Sequence, residues 1–288
     1  MNAAAHDQGK ESHHALQCME IWGGSSAAER SVSTPGLDLW VWSRPYQQAA
    51  GGGDVHYVSL CGGGLITRLI LADVSGHGAS VAELASSLRD LMRRNINRKS
   101  QSRLVRDLNR QFTELAKMSC FATSVLATYL ANRDQLTICN AGHPRPLWFR
   151  ANTGSWSFVD ADQTDEQGGL TNLPLGVEDS TYYPQVTLNL NLGDIVLIYT
   201  DALTEASGTG GAMLGEQGLL ELVRTIDAAN PKAMSEALVN RLDQYRGGRP
   251  ADDDSTFLLL HHNAGNPGRL TVRQKLDVYA KVFHIKDV

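Results

Sequence analysis

The chain has 288 residues, with 26 basic against 31 acidic side chains and a formal net charge of −5. Hydrophobic residues make up 42% and charged residues 20%, the balance of a globular chain with a sizeable core rather than a disordered, coiled-coil or disulfide-stapled one. The acidic surplus argues against binding nucleic-acid backbones or anionic membranes as a bulk property, since both need excess Lys and Arg.

The four cysteines, Cys18, Cys61, Cys120 and Cys139, are far apart and form no CxxC pair, so reduced thiols are expected rather than a zinc or redox motif. The first residues lack a basic segment followed by an apolar one, and no stretch offers about 18 uninterrupted apolar residues. A cytoplasmic protein is the expectation.

In chain order, residues 1–36 are rich in Ala, Ser, Gly and His and read as a partly flexible extension, with one apolar island at 19–22 that is able to dock. Leu37–Tyr46 alternates as a strand. Val55–Leu60 and Leu65–Ala72 read as strands joined through Gly62–Gly64. Helical spacing follows in Val81, Leu84, Leu88, Leu91 and Met92, and again over Gln101–Ala116. From Cys120 to Thr200 the pattern is of short β-rich runs: Thr123–Tyr129, Gln135–Cys139, Pro146–Phe149, Pro184–Leu190 and Ile195–Tyr199. Two helices, Glu216–Ile226 and Lys232–Tyr245, then precede a last strand, Ser255–His262. After the linker NAGNPG, Arg269–Val288 aligns Leu276, Tyr279, Val282 and Phe283 as an amphipathic helix. The domain boundaries expected are therefore 1–36, 37–262 and 263–288. The two extensions are the places where a homodimer contact would form.

This order excludes a doubly wound sheet, which alternates strand and helix one for one. A long helix-free middle requires antiparallel pairing, yet Ile195–Tyr199 and Phe257–Leu260 are apolar at every position, so both faces must be covered. An α+β fold follows, with two mainly antiparallel sheets packed together and helices outside: a four-layer α-β-β-α sandwich.

Four aspartates stand at the ends of core strands: Asp54, Asp73, Asp201 and Asp253, the last inside the run Asp252–Asp254. Singly, each reads as a turn or cap residue. Brought together by the sheets, they would repel and raise one another's pKa unless a hard divalent cation neutralised them. His and Cys are not spaced to join them, which disfavours zinc. Two such cations would activate a bridging water and clamp a phosphoryl oxygen.

The segments GGGD (51–54), ADVSGHG (72–78), NAGHPRP (140–146), LPLG (173–176), GDIVLIYTDALTEA (193–206) and DDST (253–256) resemble, in the same order, the bacterial PPM-type, protein phosphatase 2C-like serine/threonine phosphatases of the sporulation stage II protein E and sigma-factor regulator group. The resemblance spans about residues 37–262. It implies the same two-sheet sandwich and two or more Mn²⁺ or Mg²⁺ ions held by Asp54, Asp73, the carbonyl of Val74, Asp201 and Asp253. It further implies a phosphorylated regulatory protein as substrate, such as an anti-sigma-factor antagonist. Catalysis would need no protein group beyond the metal-bound water, with His77 as a candidate general acid.

This sequence departs from the family pattern at two points. Ala202 replaces the usual glycine after Asp201, and VHYV follows Asp54 without the aromatic-plus-acid continuation. They motivate a second reading, a PPM-fold regulatory interaction module with weak catalysis. Asp252 and Asp254 compete with Asp253 if the motif register shifts by one. His143, between Gly142 and Pro144, is expected to shape a loop. Arg44 and Arg145 are the basic residues nearest the motifs, and Asp194 and Glu205 read as turn and helix residues.

Overall fold

The computed structural model describes residues 13–17, 20–61, 64–75, 79–95, 100–116, 120–160 and 171–264. His77 and the expected C-terminal helix lie outside them. The strands are β1 (His13–Ala15), β2 (Ile21–Gly24), β3 (Ala28–Thr34), β4 (Leu37–Arg44), β5 (Asp54–Cys61) and β6 (Ile66–Val74). Helices α1 (Ala79–Asn95) and α2 (Gln101–Ala116) follow. Next come β7 (Ala122–Leu130), β8 (Gln135–Ala141), β9 (Leu147–Arg150), β10 (Ser155–Phe158), β11 (Gln185–Asn189) and β12 (Ile195–Tyr199). Helices α3 (Gly215–Arg224) and α4 (Pro231–Arg246) precede the last strand, β13 (Ser255–His262).

Two sheets form. The first has the order β1-β3-β4-β13-β12-β9-β10 and the second β11-β8-β7-β6-β5-β2. All pairings are antiparallel except that of β1 with β3. Strand alternation divides the apolar side chains into three layers. In β6, Leu69 and Leu71 pack between the sheets against Leu39, Val41, Ile198 and Leu258. Their neighbours Ile70 and Ala72 face Leu88, Leu108 and Phe112 of α1 and α2. On the other outer face, Leu197 and Leu259 meet Leu219, Val223, Leu238 and Leu242 of α3 and α4. The expected four-layer sandwich is thus observed. Strands covered on both faces are apolar throughout because each face has its own core.

Local chemistry sets the element ends. Asn230 caps α4 by accepting the Ala233 amide at 3.2 Å, Pro231 occupies the first turn, and Gly247 ends the helix in a left-handed conformation. Among the described residues no helix is long and apolar enough to cross a membrane.

The N-terminal reading requires correction. Described residues within 1–36 are mostly strand: β3 adds to β4 over seven pairs, and β2 adds to the edge of the second sheet through β5. The physical reason lies near the sheet edges. β2 is an edge strand, and β3 has only the three-residue β1 beyond it, so IWGG and AERSVST need few apolar residues and carry little periodicity. Gly36, expected to end the extension, instead turns β3 into β4. It follows Pro35 with φ at 86°, and a Cβ there would run into the Tyr129 hydroxyl. Replacing Gly36 by Ala should lower the unfolding free energy by about 1–3 kcal/mol, measured by urea denaturation.

Candidate metal centre

Asp54 opens β5 and Asp73 lies one residue from the end of β6, and the antiparallel register makes them direct partners. Side-chain parity places both toward the inter-sheet layer, since Val58 and Leu60 in β5 and Leu69 and Leu71 in β6 face it. The first sheet contributes the opposing wall at the same end. Ile198 and Leu258 face the inter-sheet layer, so Thr200, just beyond β12, and Thr256 in β13 do too. Thr200 donates a hydrogen bond of 3.0 Å to Asp54 Oδ2, and this bond spans the two sheets. Asp201 begins a single 3-10 turn immediately after β12.

These acids lie near enough to raise one another. Burial, then the charge of Asp73, push Asp54 well above the usual carboxylate range. Burial, followed by Asp201 and Asp253, pushes Asp73 up to about 7. Asp201 is raised by burial and by Asp253, and Glu205 by burial, Asp201 and Asp253. Asp54 and Asp73 are thus register partners, with Asp201 and Asp253 near enough for their charges to act on Asp73.

The structure separates the three aspartates of the 252–254 run. Asp254 is tied down: its Oδ1 accepts the Tyr46 amide at 2.6 Å and its Oδ2 the Gly53 amide at 2.5 Å. A Cβ on Gly52 would overlap this carboxylate, and one on Gly53 would press on the Val74 carbonyl at 2.8 Å. The GGGD glycines are thus explained by close approach, with Asp254 clamped onto them. Asp252 lies near Arg246 and is exposed. The charge of Asp253 acts on Asp73, Asp201 and Glu205, and that of Asp254 on Asp54 and Asp73.

Other expected residues fall into place around this group. Val74 ends β6 beside the glycine loop, its amide donating to the Gly53 carbonyl at 3.2 Å. His143 is buried; its Nδ1 lies 2.7 Å from Thr123 Oγ1, and Thr123 pairs with Asp73 across β6 and β7. Its backbone is held by Asn140 through two bonds of 2.8 Å, the loop-shaping role expected, and burial pushes its imidazole down to about 3. Arg145 is engaged by Glu216 at 2.7 Å and Asp160 at 3.0 Å, with Phe158 beneath its guanidinium. Arg44 pairs with Glu29 on the surface. Asp194 closes the turn before β12 by accepting the Ala151 and Asn191 amides.

Ala202 has no positive φ and sits within the 3-10 turn, its carbonyl receiving buried Arg246 at 3.1 Å. The methyl group therefore causes no backbone strain. Glu205, read as a helix residue, is instead in the loop after this turn, beside Asp201 and Asp253. The signal for it was available in the repetition of acids four apart, Asp201 and Glu205, after an apolar strand.

The residues fit hard divalent cations. Asp54 Oδ1 is buried without a hydrogen-bond partner, several carboxylates raise one another, and the donors are all oxygen. Among the described residues no three His, Cys, Asp or Glu side chains form a ready-made cage. Mg²⁺-type ions, which keep several waters and use one or two carboxylates, do not require one.

Comparison with known proteins bears on this arrangement. Residues 66–263 match the family model described as stage II sporulation protein E (SpoIIE). The chain belongs to the SpoIIE family. Phosphoserine phosphatase RsbU of Bacillus subtilis (strain 168) is 23% identical over 228 residues, covering 78% of this chain and 63% of that protein. Phosphoserine phosphatase RsbP of the same organism is 23% identical over 197 residues, covering 67% and 45%. The chain thus spans about half to two thirds of the length of these relatives. Among solved structures, the RsbU and RsbW domains of Rv1364c from Mycobacterium tuberculosis superpose with a TM-score of 0.66 at 24% identity, over 89% of this chain and 70% of that one. The SiaA-PP2C domain of Pseudomonas aeruginosa gives 0.64 at 17% identity, over 77% and 85%. The PP2C fold of this SpoIIE-family chain agrees with the sandwich derived from its strands.

A carboxylate whose pKa is raised on folding costs stability above its unfolded pKa, because the folded state resists ionisation there. Asp73→Asn should therefore raise the chelator-treated protein's unfolding free energy by about 1–3 kcal/mol at pH 8. The same variant should lose the rise in melting temperature that Mn²⁺ gives the wild type. Calorimetric melts with and without Mn²⁺ check both.

Proposed function

We propose that this chain is a metal-dependent protein phosphatase that hydrolyses phosphoserine or phosphothreonine on a regulatory protein. The observation that carries the reading is the Asp54–Asp73 pair across β5 and β6, facing Asp201 and Asp253 from the opposite sheet. In this reading Asp54, Asp73, Asp201, Asp253 and the Val74 carbonyl hold two or more Mn²⁺ or Mg²⁺ ions. When bound, the ions supply a water of lowered pKa and charge neutralisation of the phosphoryl oxygens.

The chain's own residues arrange the rest. Thr200 orients Asp54, the Asp254 clamp holds the glycine loop against β13, and the His143 loop backs the strand beside Asp73. Asp253 and Glu205 are exposed while Asp54 is buried, so the group opens to solvent on one side, as a phosphorylated side chain on a folded protein requires. The relatives named phosphoserine phosphatase RsbU and RsbP support phosphoserine as the group hydrolysed, and the substrate protein this reading expects is a small regulator such as an anti-sigma-factor antagonist. The unstrained Ala202 removes one ground for reading the fold as a non-catalytic interaction module.

With Mn²⁺ and p-nitrophenyl phosphate or a phosphopeptide, Asp73→Ala, Asp201→Ala and Asp253→Ala should each lower turnover by about 100-fold or more. Asp252→Ala should stay within about twofold of wild type, because its exposed carboxylate acts on Arg246 and not on the raised carboxylates. Unchanged turnover in Asp73→Ala sinks the assignment.

A further inference from the structure

Asp54 is held by a buried chain of hydroxyl groups, Thr200, Thr256 and Ser43, rather than by the neighbouring carboxylates. Thr200, Thr256 and Ser43 are essentially fully buried, and Asp54 is 3% exposed. The Thr256 amide donates to Thr200 Oγ1 at 3.0 Å. This fixes one lone pair of the hydroxyl and leaves its single proton to choose between Asp54 Oδ2 at 3.0 Å and the Thr256 carbonyl at 3.3 Å. The shorter, charge-assisted contact is the stronger. At the far end of the chain, Thr256 Oγ1 lies 2.9 Å from Ser43 Oγ. Asp54 Oδ1, by contrast, is buried and accepts no hydrogen bond, although the nearby Thr256 hydroxyl, like that of Thr200, favours the ionised Asp54 carboxylate.

We propose that Thr200 is a positioning residue for the metal centre: by occupying Oδ2 from the opposite sheet, it leaves Oδ1 as the oxygen presented to a cation. The proposal rests on the metal-dependent reading above. It assigns Thr200 to affinity for the ion rather than to the reacting atoms. A β-branched residue suits the task, because its restricted χ1 keeps the hydroxyl aimed across the inter-sheet gap.

The test compares Thr200→Val, which keeps the shape and removes the donor, with Thr200→Ser, which keeps the donor. Ser43→Ala, at the other end of the same buried chain, controls for stability alone. Mn²⁺ affinity is measured by calorimetry, and urea midpoints are taken in chelator. Thr200→Val should bind Mn²⁺ about 10–100-fold more weakly. Its turnover should recover to within about threefold of wild type at saturating Mn²⁺, because the reacting groups are intact. Thr200→Ser should bind within about threefold of wild type, and Ser43→Ala should lower the urea midpoint while leaving Mn²⁺ affinity unchanged. If Thr200→Val is too unstable to titrate, Thr200→Ala replaces it and the contrast with Thr200→Ser decides. Wild-type Mn²⁺ affinity in Thr200→Val, or equal weakening in Ser43→Ala, overturns the proposal and leaves the phosphatase reading standing. Absence of Mn²⁺ binding by the wild type overturns both.

Discussion

Two carboxylates stand opposite each other in one antiparallel register, Asp54 on β5 and Asp73 on β6. Like charges directly across a strand pair are destabilising even on an exposed face. Here they are turned toward the inter-sheet layer, where burial raises both. The surrounding architecture serves this constraint. The second sheet holds the pair in register over eight residues, and the first brings a hydroxyl donor and two further carboxylates to the same end. A fold organised only for stability would place apolar side chains there, as it does at Leu71 and Val58 a few residues along.

The rest of the molecule makes that exception affordable. Three separate apolar layers, one between the sheets and one under each helix pair, fix the strand ends on all sides. Rigid strand ends matter because the carboxylates must be held against mutual repulsion rather than drift apart. The glycine loop contributes in the same way. Its missing side chains let Asp254 lie on the backbone at Gly52 and Gly53, joining the start of β5 to the start of β13.

Much of this could be read from residues alone, and the exceptions have physical causes. Strand and helix order were visible because core strands are apolar on both faces and the helices carry clear stripes, such as Leu104, Leu108 and Phe112 in α2. The pairing of Asp54 with Asp73, and the nearness of Asp201 and Asp253 to Asp73, was legible from their positions at the ends of such strands. β2 and β3 were missed because strands at or next to a sheet edge need little hydrophobicity, although Pro35-Gly36 marked the turn from β3 to β4. Spacing alone left Asp252, Asp253 and Asp254 as alternatives, since only the contact with Gly53 and Tyr46 distinguishes the clamp from its neighbour. Glu205 was misread because its surroundings on the chain look helical, while the backbone bends after the 3-10 turn.

The Asp254 clamp joins residues 201 positions apart in sequence, and β4 and β13 lie side by side in the first sheet. During synthesis, the glycine loop therefore emerges long before the strand that steadies it. Closing so long a loop is slow and entropically costly. Until β13 docks, the chain has its acidic residues but no organised pocket for them. In the reading proposed above, the ion site would be complete only once β13 docks, and a product truncated before residue 254 would lack the clamp that steadies the glycine loop.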